Sequence, residues 1–182
     1  MSVKRKKRNG SMTKQHVILI GLMGTGKTTV GQELHKRIAY PWVDTDQALE
    51  SKWGFSIARY FAQYGEEAFR KEETTILKAI LDGPPSIITT GGGIVLRQEN
   101  CEWMRQKGWV IHLTAHPEVL IQRLSHDQSR PLLLGNVADK IWQLIKERKG
   151  KYDFADITID TSKQTIDGVI QEIIREWQKF KR

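Results

Sequence analysis

The stretch "HVILIGLMGTGKTTVG", His16 to Gly31, limits the possible folds more than any other part of the chain. A short apolar run gives way to a loop with glycines at 21, 24 and 26, and the loop gives way to residues that favour a helix. Gly21, Gly26, Lys27 and Thr28 satisfy the spacing G-x-x-x-x-G-K-[ST]. Glycine lets the backbone curl so that successive N–H groups point at one anion. The helix that follows adds the partial positive charge of its N-terminus. Lys27 can then reach the β- and γ-phosphates of a nucleoside triphosphate, and the Thr28 hydroxyl can ligate Mg²⁺. At ordinary glycine usage, roughly 7%, chance matches arise in under about one chain in a hundred.

The remaining pattern extends that unit. Residues Lys27 to Ile38 read as a helix with Val30, Leu34 and Ile38 on one face. "WVD" reads as a second strand, Ser56 as the N-cap of "IARYFAQYG", and "EEAFRKEETTILKAIL" as a longer continuation. "SIITT", "WVIHL" and "ADITID" are the third to fifth strands, with helices at "HPEVLIQRL" and "IDGVIQEIIREWQKF". Strands alternating with helices predict an α/β fold of three layers, α/β/α, around a five-stranded parallel sheet. Ligands of such sheets bind beyond the carboxyl ends of the strands, where the glycine loop, "DTD" and "GGG" all fall.

Charge narrows the partners. The net formal charge is +8, yet Lys4, Arg5, Lys6, Lys7, Arg8 and Lys14 are the charged side chains of the first fourteen residues, so 8 − 6 leaves +2 for the body. Residues 1–14 read as a basic, disordered extension and 15–182 as a single domain. The near-balanced body argues against a nucleic-acid groove. No apolar stretch reaches the length of a membrane span, and "VILIGLM" is too short and interrupted for a signal. The single Cys101 excludes an intrachain disulfide and suits a reducing compartment. A cytoplasmic monomer acting on a small molecule is the expectation.

Four further groups have both a chemical and a plain structural account. Asp44 and Asp46 in "VDTD" could serve a metal and an acceptor hydroxyl, or simply cap the next helix. Arg70 could hold an anionic substrate, or pair with Glu66 four residues earlier. Gly91, Gly92 and Gly93 could admit a ligand close to the backbone, or form a turn. Arg130, in "SHDQSRPLLLGN", could close on phosphates or lie exposed in a loop.

Taken in order, "GLMGTGKTTVG", "VDTDQALE", "SIARYFAQYGEEAFRKEE", "TTGGGIV", "SRPLLL" and "ERKGKYDFADITIDT" resemble the shikimate kinases over nearly the whole chain from about Val17. The resemblance implies a P-loop kinase fold with a substrate-binding subdomain at about 45–75 and a mobile lid at about 124–136. It implies transfer of the γ-phosphoryl group of ATP to the 3-hydroxyl of shikimate with Mg²⁺, a step toward chorismate and the aromatic amino acids. Asp46, Lys27 and Arg130 are the implied catalytic groups. Gly21, Met23, Gly24, Thr25, Gly26, Lys27, Thr28, Thr29, Arg123 and Arg130 are implied to hold ATP, Arg123 lying against the adenine. Thr28 would bind the metal directly and Asp44 through water. Asp46, Arg70, Gly91, Gly92, Gly93 and Arg148 are implied to hold shikimate, the two arginines on its carboxylate. The chain departs from the family pattern where "RKGKY" has Gly150 in place of proline, and where Thr165 and Ile166 replace an Asn-Pro pair.

A sugar-acid kinase of the gluconate type and a nucleotide-dependent binding module are the competing readings. His112 and His116, four apart in "HLTAH", straddle the end of a strand and lack a third ligand nearby, which argues against a metal pair.

Overall fold

The computed structural model of the chain describes residues 15–125 and 136–181. The expectations for the tail 1–14, for most of the lid and for Arg130 therefore fall outside the described residues. Strands β1 (His16–Ile20), β2 (Trp42–Asp44), β3 (Ile87–Thr89), β4 (Gly108–Thr114) and β5 (Ile157–Asp160) form one sheet. Their order is β2-β3-β1-β4-β5, and every pairing is parallel. Because the side chains of a strand alternate between faces, a strand buried on both sides must be apolar throughout. β1 meets that condition. Val17 and Leu19 pack on one face with Val30 and Leu34 of α1 (Lys27–His35) and Ile170 and Ile173 of α7 (Ile166–Phe180). Ile18 and Ile20 pack on the other with Leu77 of α3 (Ile57–Leu81) and Met104 of α4 (Gln98–Lys107).

Local signals explain most of the boundaries. Asp44 is the N-cap of α2 (Thr45–Trp53), accepting hydrogen bonds from the amides of Asp46 and Gln47. Ser56 caps α3 through the Arg59 amide, as its position predicts. Gly65 breaks the helical course of α3 with φ 78° and ψ 174°, at the point where the two helical stretches meet in the sequence. α1 is shorter than expected. It ends at His35, where the amides of Arg37 and Ile38 both turn onto the Leu34 carbonyl. Ile38 still packs against the core from the loop. α4 carries no side-chain cap, while α6 (Val137–Glu147) is capped by Asn136, which accepts the Ala138 amide; both helices are first evident in the fold, and α6 packs Ile141 beside Leu120 and Leu124 of α5 (Pro117–Leu124).

Candidate active site

A cleft of about 820 Å³ opens at the carboxyl ends of the central strands. Its floor is the glycine loop between β1 and α1. Gly24 and Gly26 take φ 79° and 91°, a left-handed backbone that favours glycine. α1 starts at Gly26 without a side-chain cap, so the amides of its first turn are open to an anion. Lys27 Nζ donates to the carbonyls of Gly21 and Leu22 at 2.9 and 2.8 Å, which folds the ammonium back over the loop. Met23 to Thr29 all line the cleft, whereas Gly21 lies behind the wall, so close to Leu113 that a Cβ there would strike its carbonyl.

At the loop's edge, Thr28 Oγ1 lies 3.2 Å from Asp44 Oδ2, and the Thr89 hydroxyl donates to the same oxygen at 2.6 Å. Asp44 Oδ1 meanwhile accepts the α2 amides. One carboxylate thus caps a helix and stands at the helix N-terminus where the phosphates would lie, so the structural and chemical accounts of Asp44 are compatible. No cluster of three or more His, Cys, Asp or Glu side chains forms a metal site among the described residues. A hydroxyl beside one carboxylate instead suits Mg²⁺, which keeps several waters and takes few protein ligands when it sits on phosphates.

The glycine run after β3 is the hub of the other half. Its strand side is anchored by Thr90, which bonds the Leu19 carbonyl through both its amide and its hydroxyl, and by the Gly91 amide donating to Thr45 Oγ1. Each of the three glycines leaves room for a different charged group. A Cβ on Gly91 would lie 2.6 Å from Asp46 Oδ1 and 2.9 Å from Glu73 Oε1. One on Gly92 would lie 3.1 Å from Arg148 Nη1, and one on Gly93 would overlap the Arg70 guanidinium. Asp46, Arg70 and Arg148, spread over a hundred residues of sequence, therefore meet on three consecutive residues.

Arg70 is buried and held at both ends of its guanidinium. Nη1 donates to Glu73 at 2.8 Å and Nη2 to Glu66 at 3.0 Å, so the expected i,i+4 pair exists while the same side chain faces the cleft. Burial opposes the arginine's charge, but Glu73 and Glu66 outweigh it and hold the group above its ordinary value. Burial likewise pushes the Glu73 carboxyl up, against the pull of Arg70. Glu73 went unnoticed in the sequence, although its i,i+3 spacing from Arg70 was a usable signal. Arg148 Nη1 donates to the Gly92 carbonyl at 2.6 Å. The turn behind it depends on Gly150, whose φ of 77° no proline can adopt.

Arg123 is anchored, not loose. It donates to the Gly24 carbonyl at 3.0 Å and to the carbonyl and hydroxyl of Thr161, ties that join the phosphate loop to the end of β5. Gln164 and Ile166 line the cleft beside it; Gln164 was not singled out in the sequence, and Ile166 only as a departure from the family pattern. Ile166 begins α7 with Thr165 as its N-cap. His112 and His116 do not form a pair: His112 stacks on Tyr152, and His116 lies 3.6 Å from Asp160. Cys101 is buried with its thiol pushed up by burial, and the thiol donates to the Val95 carbonyl at 3.5 Å.

A parallel sheet in this order, with a phosphate loop after its central strand and a cationic pocket beside it, defines a P-loop kinase of small molecules. A family model described as shikimate kinase matches residues 23–178. The shikimate kinase of Caldanaerobacter subterraneus is 41% identical over 169 residues, 92% of this chain and 98% of the relative. The structure of the Acinetobacter baumannii shikimate kinase in complex with shikimate superposes with a TM-score of 0.88 at 33% identity, covering 93% of this chain and 96% of that one. A gluconokinase from Sinorhizobium meliloti, at 13% identity and a TM-score of 0.59, shares the fold alone. The chain belongs to the shikimate kinase family.

Proposed function

We propose that the protein transfers the γ-phosphoryl group of ATP to the 3-hydroxyl of shikimate, giving shikimate 3-phosphate and ADP. The observation that carries this reading is the meeting of Asp46, Arg70 and Arg148 on Gly91–Gly93, at the rim of the phosphate loop. Shikimate has a carboxylate at one end and hydroxyls at the other. Two guanidinium groups suit the first, and an acid suits the second.

The glycine loop and the open N-terminus of α1 bind the triphosphate. Lys27 leaves the Gly21 and Leu22 carbonyls to reach the γ-phosphate. Thr28 and Asp44 are the groups that would hold Mg²⁺, which offsets charge on the phosphate oxygens when bound. Arg70 and Arg148 fix the substrate carboxylate, so that the acceptor hydroxyl faces Asp46. The hydroxyl proton passes to Asp46 as the oxygen bonds to the γ-phosphorus, and the bond from that phosphorus to the bridging oxygen of ADP breaks. Alignment and charge neutralisation supply most of the rate of such transfers. Arg123 and Ile166 provide the walls for the base. Arg130 is assigned to the phosphates by the family resemblance alone.

Among the described residues no helix is long and apolar enough to cross a membrane. That observation and the single reduced Cys101 support a cytoplasmic site of action.

The deciding measurement is ADP release with magnesium present, using shikimate or gluconate as acceptor. Release that depends on shikimate is expected. Turnover of gluconate alone would transfer the assignment to the sugar-acid kinases.

A further inference from the structure

Arg70 and Arg148 are held by unlike means. Two carboxylates grip Arg70. Arg148 has no carboxylate partner within ion-pair distance among the described residues; its Nη1 rests on the Gly92 carbonyl. Glu73 acts on its charge from farther off, and the turn that follows α6 adjoins it. There the Lys151 amide bonds the Arg148 carbonyl at 3.0 Å, and Gly150 reverses the chain, which returns Tyr152 beneath the arginine. The Arg148 guanidinium lies beside the phenol hydroxyl without completing a well-formed hydrogen bond. Contact alone does not aim a phenol ring; something must fix its plane.

His112 supplies that plane. β4 sets it opposite Ile20, the last residue before the glycine loop, and its neighbours Ile111 and Leu113 face the other side of the sheet. The imidazole stacks on Tyr152 with ring centroids 4.4 Å apart and planes within 7°. A column therefore runs from the sheet through His112 and Tyr152 to Arg148 and the Gly92 carbonyl.

We propose that His112 is a positioning residue for Arg148, acting through the stacked Tyr152 ring, and that it thereby sets how firmly the substrate carboxylate is held. This rests on the reading of Arg148 as a carboxylate ligand. The charged groups facing the imidazole are Lys27 from α1 and Asp153 from the turn, with Arg148 beyond Tyr152. Burial, followed by Lys27, lowers the ring to about 4 against the opposing pull of Asp153. At neutral pH it is an uncharged plate, and it adds no third cation to a region that already holds Lys27 and Arg148.

The test is steady-state kinetics of the full chain carrying His112→Ala, Arg148→Ala, both together, or His112→Phe, with shikimate and ATP varied separately. His112→Ala should raise KM for shikimate about three- to tenfold, the range expected for a lost aromatic stack. It should leave kcat and KM for ATP within about twofold. His112→Phe, which keeps a flat ring, should restore KM. In the Arg148→Ala background, His112→Ala should add nothing, because the group it positions is gone. If thermal melting shows that His112→Ala does not fold, the cycle is run with His112→Leu, which fills the space without a plate; the same outcomes are expected. Unchanged KM for shikimate, a Phe variant as impaired as Ala, or additive losses in the double variant would each overturn the proposal. Should Arg148→Ala itself leave KM for shikimate unchanged, the carboxylate reading fails instead.

Discussion

Gly93 has no side chain because the Arg70 guanidinium fills the space where one would stand. A methyl group there must push the arginine out of line, since Glu66 and Glu73 hold it from the far side. Hydrogen bonds to charged groups contribute about 1.5–3 kcal/mol, and about 1.4 kcal/mol is tenfold in affinity. Gly93→Ala is therefore expected to raise KM for shikimate on the order of tenfold or more. Nucleotide affinity, which depends on the loop at 21–29, should stay within about twofold. Substrate-varied kinetics with a nucleotide titration checks both halves, and a loss of ATP binding would show that the two subsites are not separable. Arg70 illustrates how residue-level reading succeeds and where it stops. Its pairing with Glu66 and its chemical suitability were both legible at one position. That the side chain does both at once depends on Glu73 and Gly93, which only folding brings to it.

At the scale of elements, the tightest constraint is how near α1 approaches the sheet. A Cβ on Gly31 would lie 2.8 Å from Trp42 Nε1 and closer still to the Thr89 methyl, and the Trp42 indole already bonds the Thr89 hydroxyl at 3.1 Å. Alanine favours a helix over glycine by about 0.5–1 kcal/mol, whereas overpacking costs about 1–3 kcal/mol. Overpacking prevails. Gly31→Ala should lower unfolding stability by roughly 1–2 kcal/mol in urea titration, and it should reduce turnover because Thr89 and Thr28 both hold Asp44. A stabilised variant would mean that α1 can retreat from the sheet without consequence. Strand and helix identities were readable here because each strand is a short apolar run and each main helix has a cap or a periodic face. α4 escaped notice because its apolar residues are few, whereas α6 carries a usable signal in the periodic face of Val137, Ile141, Leu144 and Ile145 after the Asn136 cap.

Two imidazoles, one buried and one half-buried, tie the stability of the whole molecule to pH. His16 Nε2 donates to the Leu81 carbonyl while its Nδ1 meets the Ser86 hydroxyl at the amino end of the sheet, and His112 stacks on Tyr152 at the carboxyl end. Burial is the main cause that lowers both below the ordinary 6.5, His112 to about 4. The unfolded chain therefore takes up protons first as the pH falls. Their contribution is complete above about 6.5 and is lost progressively down to about 4. The melting temperature should hold steady from pH 8 to 6.5 and fall between 6.5 and 4.5; a flat profile through that window would show the rings to be charged in the folded state. Charge distribution makes a separate prediction. The body carries +2 once the six basic side chains of residues 1–14 are set aside, so deleting 1–14 should leave kcat within about twofold. Loss of turnover in that truncation would give the tail a part in the reaction. By itself the sequence determined the order of the five strands, the main helices between them and the triphosphate loop, because each is written in contiguous residues whose physics is local. The family resemblance named the acid, the arginines and the glycines, but their physical contact in one cleft is present only in the tertiary structure. Parallel strands are joined through long crossovers, and a contact between residues 46, 70, 92 and 148 has no local signature until the sheet aligns their ends.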